Sequence, residues 1–100
     1  MRPIEKVGWG LVAAGFVLDT LTTFAGLSMG MVETNPVILD ILQGWGWLGF
    51  IAIKIGVVAL AVAVRQRIST YEWAVPYCVG TPWLLAGLSN SLWIFLYLVR

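Results

Sequence analysis

Histidine is absent from this sequence of 100 residues, and Cys78 is its single cysteine. Because histidine and cysteine are the usual ligands of zinc, copper, haem and iron–sulfur centres, we expect no metal and no cofactor of these kinds. Nucleophilic catalysis normally uses a histidine as general base, so we predict no catalytic residue and no enzyme. One cysteine also excludes a disulfide within the chain.

Charged side chains are scarce as well. They make up 11% of the residues, whereas 60% of the residues are apolar, compared with ~45–50% in soluble domains. The net charge of +1 provides no cationic surface for phosphate backbones, which argues against nucleic acid as a partner. The composition predicts a single domain over residues 1–100 that is embedded in a lipid bilayer.

Three apolar stretches are long enough to cross a bilayer, whose hydrocarbon core requires ~20 helical residues. We predict membrane spans over about residues 7–29, 45–64 and 82–99. A short entry piece over about 72–80 is expected before the third span. Because Pro82 lacks a backbone N–H and disfavours helical geometry at the preceding residue, we predict a break there.

A short helix is predicted between the first two spans, over about residues 36–43. Asn35 can cap it, and Pro36 suits a first helical position, which needs no N–H. The helix is expected to be amphipathic and to lie at the interface, or to be re-entrant. The predicted fold class is therefore all-α and integral to the membrane, with three transmembrane helices and this additional helix.

Basic residues predict the orientation of the chain. Three spans place the two termini on opposite sides of the membrane. Arg2, Lys6, Arg65 and Arg67 then share one side, and Arg100 lies on the other. The positive-inside rule predicts a multi-pass protein of the cell membrane with a cytoplasmic N-terminus.

Polar residues of all three spans fall at one depth. Counting from the outer ends of the spans, Asp19, Lys54 and Asn90 each lie ~14 Å inside. Thr22 and Thr23 share a helix face with Asp19, at i+3 and i+4. A charge at mid-membrane costs roughly 2.5–3.5 kcal/mol unless it meets a partner or water. We therefore predict an Asp19–Lys54 ion pair within a polar centre.

The polar centre has two interpretations. The ion pair, with Asn90 and the threonines as hydrogen-bonding partners, could serve to fix the helix register. Alternatively, the same groups line a hydrated cavity and bind or relay a proton or a small cation. Glu33 is interpreted as an exposed loop carboxylate or as a group drawn in beside Lys54. Trp83 is interpreted as packing or as a gate.

A pattern of these residues resembles an uncharacterised family of small prokaryotic multi-helix membrane proteins. The pattern is Asp-x-x-Thr-Thr, then Glu-x-Asn-Pro, then a lysine in the next span. Its positions here are Asp19, Thr22, Thr23, Glu33, Asn35, Pro36 and Lys54, followed by Asn90 in the last span. The resemblance implies a compact helical membrane domain of unknown function in which these residues act together. It implies no activity.

Two functions follow as expectations. The first is transport or conduction of a proton or small cation at the polar centre, by a homo-oligomer. The second is a structural or accessory subunit of a larger membrane complex. Both include a second copy or a partner membrane protein, because three helices cannot shield an ion pair from lipid on every side. A lipid-modifying enzyme that uses Asp19 and Glu33 as an acid/base pair is a third alternative.

Overall fold

Three long helices make up most of the protein. The computed structural model describes residues 1–31 and 35–99. Its helices are α1 (Pro3–Ser28), α2 (Pro36–Arg67) and α3 (Val75–Val99), with a 3₁₀ turn over Glu72–Ala74 before α3. All three helices are long and apolar enough to cross a membrane. The all-α class is thus confirmed, and the three helices are candidate spans of a multi-pass membrane protein.

Glycines bring α1 and α3 into close contact. A Cβ atom added at Gly80 would lie 2.6 Å from the backbone nitrogen of Val12, and one at Gly15 would lie 2.8 Å from that of Leu84. A real Cβ atom does not fit at such distances from a backbone. Because small residues permit this close approach in membranes, α1 and α3 form the tightly packed pair of the fold.

The predicted break at Pro82 is wrong. The helix α3 runs without interruption from Val75 to Val99 with Pro82 inside it, and residues 72–80 form the 3₁₀ turn and the first part of α3 rather than a separate piece. In hydrocarbon, a broken helix would leave several backbone groups without partners. A proline that stays in the helix removes a single donor, which is the smaller loss.

The short helix predicted after α1 is joined to the second span as part of α2, with non-helical geometry at Gly46 between them. Residues 36–43 are the beginning of α2. The start of this helix has the expected local chemistry, because the Asn35 side chain accepts hydrogen bonds from the backbone N–H of Val37 (3.0 Å) and Ile38 (3.4 Å). Pro36 is its first residue.

Helical geometry within α2 is interrupted at Gly46, which has φ 68° and ψ −159°. Residues on the two sides of Gly46 meet again, since a Cβ atom added at Gly49 would lie 3.4 Å from Ile41 Cγ2. Asn35 also lines the same cavity as Lys54. In a straight helix these two residues would be about 28 Å apart at 1.5 Å per residue. The first part of α2 therefore folds back toward the second.

The helix α2 lies further from the other two helices than they lie from each other. Its buried residues are Phe50, Lys54 and Ala61. Side chains bridge the remaining distance, as where the rings of Trp47 and Phe24 meet with centroids 5.3 Å apart. The fold is thus a tight α1–α3 pair with α2 attached through long side chains.

The close approach of α1 and α3 predicts that Gly80→Ala lowers the free energy of unfolding by about 1–3 kcal/mol, because the added methyl group would overpack the helix contact. Gly56→Ala is the matched control, since no atom lies within 4 Å of a Cβ added there. The control should be neutral or up to ~1 kcal/mol more stable, as alanine favours the helix. Unfolding in mixed micelles, followed by circular dichroism, measures both. Equal behaviour of the two variants would contradict the packing account.

Candidate functional site: a polar centre at mid-membrane

Asp19 on α1 and Lys54 on α2 form an ion pair. Lys54 Nζ lies 2.5 Å from Asp19 Oδ2, and the two side chains are 5% and 16% exposed. The predicted ion pair between these helices is confirmed. Because so little of either side chain is exposed, the opposite charge is the main compensation for each of the two head groups.

Asn90 joins α3 to the same cluster. Its Nδ2 group donates to Thr22 Oγ1 (3.1 Å), to Thr23 Oγ1 (3.2 Å) and, at 3.4 Å, to Asp19 Oδ1. The Thr22 hydroxyl in turn donates to the backbone oxygen of Leu18, 2.7 Å away. Both carboxylate oxygens of Asp19 are therefore engaged, one by Lys54 and one by Asn90. The structure brings all five of these residues, which were predicted from three separate spans, into one network.

Three aromatic rings surround the ammonium group of Lys54. The distances from Nζ to the ring centroids are 4.6 Å for Trp83, 5.2 Å for Phe16 and 5.4 Å for Phe50. Each ring comes from a different helix. A cation within about 6 Å of a ring centroid is attracted to the electron-rich face, by roughly 0.5–2 kcal/mol per contact. The three rings, which we call the aromatic cage, thus complete the environment of Lys54.

Sequence reasoning missed the aromatic cage. Trp83 gave the one available signal, because it lies away from the interfaces where membrane tryptophans concentrate. Phe16 and Phe50 look like ordinary apolar residues of a span. Trp83, which was interpreted as packing or as a gate, contacts the Lys54 ammonium with its ring.

The ion pair and two rings of the cage, those of Phe50 and Trp83, face a cavity of about 500 Å³ between the helices. The polar side chains of its lining are those of Asp19, Thr23, Asn35, Lys54, Ser89 and Asn90. A water molecule needs about 30 Å³ of liquid volume and two to four polar partners. The cavity meets both requirements, so the polar centre borders a space that several water molecules or a small ligand can occupy.

A second buried ion pair lies nearer the start of α1. Arg65 donates from Nε to Glu5 Oε2 (2.8 Å) and from Nη2 to Glu5 Oε1 (3.0 Å), and Trp9 Nε1 donates to Glu5 Oε2 (2.9 Å). Glu5 is fully buried. Bidentate geometry of this kind is the strongest form of a carboxylate–guanidinium contact. The two ion pairs attach α2 to α1 at two different depths.

The second ion pair was missed because Arg65 was used only to predict the orientation of the chain in the membrane. Glu5 was given no role. A signal was nevertheless present in the spacing. Glu5 and Asp19 are separated by 14 residues on α1, and Lys54 and Arg65 by 11 residues on α2. Both spacings are close to whole numbers of helical turns. The two acids therefore share one face of α1, and the two bases share one face of the antiparallel α2.

Glu33 lies outside the described residues, so its predicted place beside Lys54 stays a prediction. Among residues 1–31 and 35–99, no three acidic or cysteine side chains come close enough together to hold a metal ion. The chemistry of the described centre is that of one carboxylate, one ammonium, an amide and two hydroxyls. These groups can accept, donate or exchange a proton or a monovalent cation.

The second ion pair predicts that Arg65→Gln lowers the unfolding temperature, because the fully buried carboxylate of Glu5 would lose its counter-charge. Arg67→Gln is the matched control, since Arg67 is exposed at the end of the same helix. A thermal scan in detergent compares the two variants. Restoration of part of the loss by Glu5→Gln in the Arg65→Gln background is also expected. An equal effect of Arg65→Gln and Arg67→Gln would contradict the assignment.

Comparison with known proteins yields a family but no function. No curated protein and no solved structure matches the chain. Residues 10–96 match the model of a domain of unknown function, DUF5658. This range contains Asp19, Lys54 and Asn90, whereas Glu5 lies before it. The expected membership in an uncharacterised family is therefore confirmed, and the chain belongs to the DUF5658 family.

Proposed function

We propose that this protein is a small polytopic membrane protein that transports or conducts a proton or a small cation through its polar centre, as an oligomer. One observation carries the proposal: the Asp19–Lys54 ion pair lines a cavity of about 500 Å³ whose wall carries both polar and apolar side chains. Ionisable residues inside membranes commonly mark ion or proton pathways. The proposal assigns no catalytic residue.

Asp19 is the proposed acceptor, with Lys54 as its counter-charge. The bound proton or cation takes the place of the Lys54 ammonium, which contacts one oxygen of the Asp19 carboxylate. Thr23 offers a neutral oxygen ligand near the carboxylate, and Asn90 donates a hydrogen bond to it. The exchange thus needs a short movement of one flexible side chain.

Access to the site is proposed from the outer side. The chain folds back at Gly46, and Asn35 and Ile38 line the same cavity as Lys54. We infer that the first part of α2 is a re-entrant segment at the outer entrance of the cavity. The shared side of Arg2, Lys6, Arg65 and Arg67 supports a cytoplasmic N-terminus under the positive-inside rule.

Lipid and further copies of the chain are the proposed partners. Most of α2 is exposed, because Phe50, Lys54 and Ala61 are its buried residues. A charged pair near such an open surface is better separated from hydrocarbon when a second copy covers it. The proposal therefore includes a homo-oligomer.

Transport predicts that Asp19→Asn abolishes flux of protons or of Na⁺ and K⁺ in proteoliposomes, since the neutral amide can neither bind a cation strongly nor exchange a proton. Glu72→Gln is the matched control, because it changes a carboxylate in the 3₁₀ turn that is not part of the cavity, and it should leave flux unchanged. A pH-sensitive dye and ion-sensitive dyes inside the vesicles measure the flux. Flux of the parent protein at the level of empty vesicles would contradict transport.

An accessory subunit is the second candidate function. The hydrogen bonds of Asn90 and the two ion pairs support it, because they also serve to hold three helices in register. In that case the parent protein shows no flux. It would instead be isolated in a complex of defined larger mass, which disulfide crosslinking through the exposed Cys78 would reveal.

A further inference from the structure

The aromatic cage and the Asp19 carboxylate together form a box around one ammonium ion. Trp83, Phe16 and Phe50 present rings to the Lys54 ammonium at 4.6, 5.2 and 5.4 Å, and Asp19 supplies the negative charge at 2.5 Å. Neutralising a lysine requires the carboxylate alone. The three rings, one from each helix, add selectivity for an ammonium ion, which an ion pair does not require.

The chemistry of the box favours one class of cation. Hard metal ions bind through several oxygen ligands, which aromatic rings cannot provide. Organic ammonium ions are attracted to ring faces and keep part of their alkyl surface in contact with them. A bare proton would make no use of the rings. The box therefore matches an alkylammonium ion better than it matches a metal cation or a proton.

We propose that the cavity beside Lys54 binds a small organic ammonium ion, which takes the place of the Lys54 ammonium between Asp19 and the rings of Trp83 and Phe50. This inference rests on the proposed function in that it takes Asp19 as the site of cation exchange. It adds the class of the cation. The ligand carries one positive charge, and the Lys54 side chain moves away on its flexible four-carbon chain.

The cavity provides the room and the surface that such a ligand needs. Its volume of about 500 Å³ lies within the range of about 300–1,000 Å³ typical of small-molecule sites. Asp19, Phe50 and Trp83 form part of its wall, so a ligand inside it meets the carboxylate and two of the three rings. Ile53, Val57 and Ala86 line the remainder and offer apolar contacts to alkyl groups.

Titration calorimetry of the purified protein in detergent tests the binding directly. n-Propylammonium chloride is the probe, with sodium chloride and the uncharged n-propanol as controls. We expect propylammonium to bind saturably. Neither sodium chloride nor n-propanol should bind. Asp19→Asn should abolish the binding, whereas Glu72→Gln, which changes a carboxylate outside the cavity, should leave it unchanged.

Loss of the largest ring of the cage should weaken ammonium binding without abolishing it. Trp83→Leu should weaken the affinity for propylammonium by roughly two- to thirtyfold, the equivalent of one cation–π contact. Trp93→Leu is the matched control on the same helix. Trp93 is 59% exposed, and its ring is not one of the three that surround the Lys54 ammonium. The control should keep the parent affinity.

Lys54→Ala removes the competing ammonium and the three methylene groups that carry it. Propylammonium contains the same atoms, so we expect it to bind this variant more tightly than the parent protein and to raise its unfolding temperature. Should Lys54→Ala not fold, the titration of the parent protein and of Trp83→Leu decides the question by itself.

Two results would overturn the inference. One is the absence of propylammonium binding to the parent protein. The other is binding to Lys54→Ala alone, which would show that the cage only holds the lysine. Because calorimetry reports equilibrium binding, the result is independent of flux. Proton or metal-ion flux without ammonium binding would support the proposed function and contradict the inference. Ammonium binding without any flux would support the inference and contradict the proposed function.

Discussion

The ion pair between Asp19 and Lys54 is the interaction on which the arrangement of the three helices depends. Lipid tails are as apolar as the side chains of a membrane helix, so burial of apolar surface does not drive helices together in a bilayer. Two opposite charges at mid-depth do, because each is costly alone. The glycines that join α1 to α3 have no equivalent contact to α2, whose attachment relies on charged and aromatic side chains.

This mode of attachment leaves open spaces between α2 and the other helices. Lys54 and Arg65 bridge to α1 with long side chains, while the helix axes stay apart. A polar cavity of about 500 Å³ borders Lys54, and an apolar groove of about 480 Å³ lies between α1 and α2, where Trp9 and Ile55 form part of its wall. A protein that needed only rigidity would close such gaps with close-packed residues, as α1 and α3 do. The spaces beside the charges are what make an exchange of ligands physically reasonable.

The polar centre was predictable because depth in a membrane follows from counting residues. Asp19, Lys54 and Asn90 lie at equal distances from the ends of their spans, and hydrocarbon forces polar groups at one level to find each other. The second ion pair was equally encoded in the spacing of Glu5 and Arg65. It was overlooked because charges near the ends of spans are usually solvated.

Other features could not be derived from local sequence. Proline predicted a break at Pro82, since proline commonly ends helices in water. In a membrane each broken turn exposes backbone groups that no solvent satisfies, so α3 continues through Pro82. The aromatic cage required knowledge of how three helices rotate about their axes, which the periodicity of such uniformly apolar spans does not determine.

A double-mutant cycle of Asp19→Asn and Lys54→Met, measured as the free energy of unfolding in mixed micelles, tests the central claim most directly. Each single variant should lose about 3–5 kcal/mol, because each leaves a buried charge without its partner. The double variant should lose considerably less than the sum, with a coupling of about 2 kcal/mol or more. Strictly additive losses would contradict the claim that this pair holds α2 to the other two helices.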